Sequence, residues 1–204
     1  VLGLKGLTHP RTAVRGNRLG ALGMLIAVVV TLINQQIVGY QVIIAGIVLG
    51  GLIGAIWAIK VPMTGMPEFV GLCNGFGGGA SVLVAGAAFI ESSLRSSGNL
   101  EMQFSAATVV SGLIGAVTFS GSLIAFGKLQ GMVSEKAVRF PADHVLKALL
   151  LLGSIGVGVM VVLDPGDVNN YWYMVAVASV LGILLVIPIG GADMPVVVAL
   201  LTSY

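Results

Sequence analysis

Seven long stretches of this chain carry no charged residue, and that spacing of charge limits its fold more than anything else in the sequence. The uncharged runs are about 19–33, 40–59, 69–90, 104–127, 148–163 and 171–189, and a seventh begins at Met194. A segment of about 20 apolar residues is long enough to cross a bilayer as a helix. Lipid offers no partner to an open backbone, so spans of this length must be helical. The expected fold is therefore all-α, a polytopic transmembrane helical bundle with about six full spans and partial helices at both ends.

Composition agrees with lipid as the solvent. Charged residues make up 9% of the 204 and hydrophobic residues 57%, with a mean hydropathy of +1.06. A soluble domain carries about 25% charged residues. The net charge of +2 is too small to suggest nucleic acid, and the lone Cys73 cannot form an intramolecular disulfide. Glycine, at 30 residues, is about twice its usual share, which suggests close helix–helix approach through small residues. The start at Val1 without a basic leader and the stop at Tyr204, soon after Met194, read as a fragment of a larger membrane protein. The whole of 1–204 is one transmembrane domain on this reading.

Basic residues set the orientation. Lys5, Arg11, Arg15, Arg18, Lys60, Lys128, Lys136, Arg139 and Lys147 fall on one side after even numbers of crossings, and Arg95 falls on the other. Nine against one is a strong positive-inside signal, so the nine mark the cytoplasmic side, or its organellar equivalent. Trp57, Tyr171, Trp172 and Tyr173 stand at span ends as an aromatic belt. His9 and His144 are expected in loops, away from the membrane centre.

No nucleotide-phosphate loop, metal-ligand cluster or nucleophile–base arrangement is present in the sequence. The run Gly75-Phe76-Gly77-Gly78-Gly79 lies inside an apolar span with no preceding strand, so it reads as a packing flank and not as a dinucleotide loop. A second small face runs from Ser111 through Gly112, Gly115, Thr118 and Gly121 to Ser122. Its hydroxyls either bond back to their own helix or line a hydrated path.

Three polar positions stand out. Asn74 is an amide deep in a span, where an interhelical hydrogen bond is the favoured reading. Glu68 is at a helix start, where a carboxylate meets free N–H groups. Asp193 sits in Pro188-Ile189-Gly190-Gly191-Ala192-Asp193-Met194-Pro195 and reads as an N-cap, with Met194-Pro195 as the first helical turn.

Three blocks carry a family resemblance: Met63-Thr64-Gly65-Met66-Pro67-Glu68, Gly115 to Ser122 continued by Ala125-Phe126-Gly127-Lys128-Leu129, and Ile189 to Val198. Together they resemble the membrane domain of the proton-translocating NAD(P) transhydrogenase beta subunit, and the likeness covers essentially the whole chain. It implies an enzyme complex that couples hydride transfer between NAD(H) and NADP(H) to proton passage. The NAD and NADP cofactors would be held by domains outside this chain, with an NADP(H) domain following on the cytoplasmic side. The implied partners are an alpha subunit with its NAD(H) domain and membrane helices, the lipid bilayer, and a second copy of the complex. The implied location is a bacterial inner (plasma) membrane, in preference to the mitochondrial one.

Carried over position by position, the resemblance places Asp193 at the face toward the NADP(H) domain and Ser122 on a helix lining the proton path. Asn74 stands where many members carry a path histidine, and Thr202 stands where asparagine is usual. Members with asparagine at the first position are implied to draw a histidine from the alpha-type subunit. Asp193, Asn74, Ser122, Thr202 and Glu68 are thus the candidates for proton path and coupling, and none is expected to be catalytic for hydride transfer. Two other readings remain open from the residues alone. A secondary transporter would use Pro188–Pro195 as a broken helix, and a membrane anchor would leave every polar residue in a packing role.

Overall fold

A computed structural model describes residues 10–34, 40–95, 101–134, 143–164 and 166–203. They form seven α-helices: α1 (Pro10–Asn34), α2 (Tyr40–Lys60), α3 (Met66–Arg95), α4 (Met102–Leu129), α5 (Asp143–Leu163), α6 (Val168–Val186) and α7 (Met194–Ser203). Single 3-10 turns, Met63–Gly65 and Gly191–Asp193, lead into α3 and α7. No strand occurs among the described residues, and the all-helical expectation holds.

Among the described residues, five helices, α2 to α6, are long and apolar enough to cross a membrane. The expectation was about six full spans. The first run, 19–33, lies within the 25-residue α1, which is not among these five. Helices also outrun their uncharged cores: α5 starts at Asp143, five residues before the expected span. His144 is therefore an exposed residue of the first turn of α5 and not of a loop. His9 lies outside the described residues.

The chain divides into two compact units, 1–60 and 61–204. In the first, α2 has no buried residue. The second contains α3 to α7, with α4 packed against α3, α5, α6 and α7. Its largest joint, α3 against α4, is made by small residues. A Cβ on Gly78 would lie 2.7 Å from the Gly115 carbonyl oxygen, and one on Gly115 would lie 2.8 Å from that of Gly78. The two backbones touch. In lipid, where apolar side chains gain little by leaving the solvent, such van der Waals contact is what holds helices together. The glycine run 75–79 is thus a packing flank as expected, although Gly77 faces open space.

Tyr171 fills the far end of the same joint. A Cβ on Gly112 or Gly86 would lie 2.8 or 2.9 Å from its ring. Its hydroxyl donates to the Val82 carbonyl at 2.7 Å, and its ring stacks on Phe89 with centroids 5.9 Å apart. Tyr171 is fully buried, whereas Trp172 and Tyr173 are exposed. Exposure leaves the latter pair available for the expected belt, whereas Tyr171 is a core residue. It can be one because the glycines vacate the space and Val82 accepts its phenolic proton.

Candidate functional site

Polar groups gather along α4 on the face toward α3. Thr108, Thr118 and Ser122 are all buried, and Thr118 and Ser122 stand about one helical turn apart. Asn74, from α3, reaches Ser122 directly: its Nδ2 donates to Ser122 Oγ at 3.0 Å. Two of the five candidates are therefore in contact. Gly75, the neighbour of Asn74, makes this possible, since a Cβ there would lie 3.3 Å from Ser122 Cβ. The Ser122 oxygen has no exposure, and no acceptor for its own proton appears among the described residues.

Other hydroxyls of the bundle behave differently. Ser120 donates to the Ala116 carbonyl at 2.9 Å, Ser81 to Gly77 at 3.1 Å and Ser179 to Val175 at 2.8 Å. These are back-bonds to the same helix, the bland alternative for a serine in a span. Ser122 is set apart by pairing across helices.

At the end of the bundle where α3 begins, α4 ends and α6 ends, the remaining candidates separate. Glu68 sits in the first turn of α3, where its charge suits the helix N-terminus. Its Oε2 also accepts from Gln130 Nε2, just past α4. Thr202 lies near the end of α7 and donates to the Val198 carbonyl at 2.7 Å. It is bonded to its own helix and joins none of the other candidates.

Asp193 closes the 3-10 turn Gly191–Asp193 and directly precedes α7, as expected of a cap. The capping hydrogen bond is not made. Its side chain is exposed and finds no partner among the described residues. The 3-10 turn itself feeds α7, with the Met194 N–H bonded to the Gly191 carbonyl, so the turn takes over part of a cap's task. Gly190 is in extended conformation at φ −71° and ψ 155°, so this turn does not exploit a left-handed glycine there. What stops α6 is Pro188, which has no N–H to continue the helix.

One group at this end has a role the sequence did not disclose. Lys128 is 1% exposed, and its Nζ donates to the carbonyls of Ile187 at 2.5 Å, Ile189 at 2.7 Å and Val186 at 3.5 Å. Sequence reading counted it only among the basic residues of the cytoplasmic side. A lysine in a last helical turn ordinarily serves its own carbonyls, and nothing local showed that it would turn to another helix. Its contacts do place the turn bearing Asp193 at the basic end, as the charge pattern required.

In the glycine run 75–79, Gly75, Gly78 and Gly79 lie against α4. A family model described as NAD(P) transhydrogenase beta subunit matches residues 1–204. Two curated relatives, both called NAD(P) transhydrogenase subunit beta and both from Rhodospirillum rubrum, are 42% identical over 207 residues. The match covers 100% of this chain and 44% of each relative, so the chain spans less than half the length of these proteins.

Proposed function

Because the chain belongs to the NAD(P) transhydrogenase beta subunit family, we propose that it carries protons across a membrane for hydride transfer between NAD(H) and NADP(H). The observation that carries this reading is the Asn74–Ser122 hydrogen bond within the bundle. It joins an amide and a hydroxyl across two membrane-length helices, and it leaves the Ser122 proton free to point at a water. Leaving such groups buried and half-paired costs free energy, which a passive anchor has no reason to carry.

In this proposal Asn74 and Ser122 hold water in the path and do not titrate. An amide and an alcohol stay neutral near pH 7, so the proton is accepted by a group of the alpha-type partner. Asp193 is the coupling residue, an exposed carboxylate on a turn at the basic end. Glu68 and Thr202 are its accessory candidates. The hydride-transfer site and both nucleotide pockets lie in parts of the complex outside these residues, and the membrane is the inner membrane of a bacterium. The complex is a dimer containing alpha subunits.

The test is reconstitution of the full-length chain with its alpha-type partner in proteoliposomes. Hydride transfer from NADPH to an NAD analogue should move protons across the bilayer, and a protonophore should collapse the gradient. Hydride transfer without proton movement would reduce this chain to an anchor.

A further inference from the structure

Lys128 has no place in the proton path just described, yet it is among the most deeply buried side chains of the bundle. Withdrawing an ammonium from water is costly unless every donor is met. Here the three donors of the ammonium face three carbonyl oxygens, those of Val186, Ile187 and Ile189. Among the described residues no carboxylate pairs with it. Its counter-charge is the negative end of α6, where the last carbonyls lack helical partners.

Both ends of this contact are defined. The α4 side closes in a Schellman turn: Gly131, at φ +69°, donates to the Lys128 carbonyl, and the Met132 N–H donates to that of Gly127. Two residues past Lys128, Gln130 is tied to Glu68 at the start of α3. The far side is the last residue of α6 and the first residues of the turn that ends in Asp193. Ile189 packs with Ile124 and Ala125 of α4 in one apolar cluster, but among the described residues Lys128 makes the only hydrogen bonds that reach this turn from another helix: the rest run from Ile187 to Ile183, between Val186 and Ile189, between Gly190 and Asp193, and between Gly191 and Met194.

We infer that Lys128 is a positioning residue, whose ammonium clamps the carbonyl end of α6 and so fixes the turn that presents Asp193. Its bearing on turnover rests on the proposed role of Asp193, whereas the clamp itself does not. A methionine at this place keeps the length and the packing but leaves the Ile187 and Ile189 carbonyls without a donor. The end of α6 then frays, and Asp193 samples several placements.

The test uses the full-length chain with its alpha-type partner in proteoliposomes, with Cys73→Ser as background. A nitroxide attached at Asp193→Cys reports the turn, and one at Val159→Cys, exposed on α5, is the control. Lys128→Met should add a mobile component to the spectrum at 193 and leave the spectrum at 159 unchanged, and Lys128→Arg should restore the immobile form. With Asp193 intact, Lys128→Met should lower proton-coupled hydride transfer at least roughly fivefold, and Lys128→Arg should recover most of it. Should Lys128→Met fail to assemble, Lys128→Gln, which keeps a neutral donor, should fall between the two.

Identical spectra at 193 with and without the ammonium overturn the clamp. A mobile turn with undiminished coupled turnover overturns the positioning role. Absence of hydride transfer in the unmutated complex instead refutes the functional reading, and the spectra still decide on the clamp.

Discussion

Asn74 Nδ2 lies 3.0 Å from Ser122 Oγ, a hydrogen bond between residues 48 apart in sequence that joins α3 to α4 inside the bundle. The two should behave as one unit. Asn74→Leu and Ser122→Ala each break the same bond, so the double variant should lose less than the sum of the two. The shortfall should be about 0.5–1.5 kcal/mol of stability, read from a double-mutant cycle in detergent. Additive losses would mean that the bond contributes nothing.

The same pair carries the proposed path. Asn74→Leu removes the donor and fills its place with hydrocarbon, which should dry the path and depress proton-coupled turnover. Asn74→His keeps a polar group there and should retain part of the rate. Unchanged turnover in Asn74→Leu would return the residue to plain packing.

Neighbouring glycines separate packing from conformational freedom. A Cβ on Gly78 would lie 2.7 and 2.8 Å from α4 backbone atoms, while one on Gly77 would meet nothing within 4 Å. Gly78→Ala must push α3 from α4 and should cost about 1–3 kcal/mol. Gly77→Ala should be neutral or stabilising, because alanine is the better helix former by about 1 kcal/mol. Thermal melting of the purified protein measures both, and equal shifts would contradict the crossing.

Topology is checked across α4, whose 28 residues extend about 42 Å. With Cys73 replaced, cysteines at Met132 and Glu101, both exposed, should react with an impermeant thiol reagent from opposite faces. The basic side predicts Met132 as cytoplasmic. Labelling of both from one face would undo the orientation.

Much of this was legible in the sequence because membrane-length helices announce themselves by absence of charge, a local property. The interhelical role of Asn74 was equally readable, since an amide in a span needs a partner; that the partner would be Ser122 required the α3–α4 register, which no local pattern encodes. The place of Tyr171 and the burial of Lys128 were missed for a related reason. Each stands at a span end, where an aromatic ring or a cation ordinarily faces the interface. Each is buried because another helix supplies an acceptor: Val82 for Tyr171, and the end of α6 for Lys128. The cap expected of Asp193 failed because a 3-10 turn, invisible as periodicity, took over part of that task.

That failure leaves the carboxylate of Asp193 without a structural duty and makes it the sharpest test of the coupling proposal. Asp193→Asn should leave expression and melting temperature nearly unchanged, since its exposed side chain has no partner among the described residues to lose. If its charge biases two arrangements of the contact with the nucleotide-binding part of the complex, coupling depends on that charge. In proteoliposomes holding the full-length complex, proton movement and reduction of a nicotinamide analogue followed together should then both fall at least roughly tenfold. Rates near those of the unmutated complex, with protons still moved per hydride, would contradict the account.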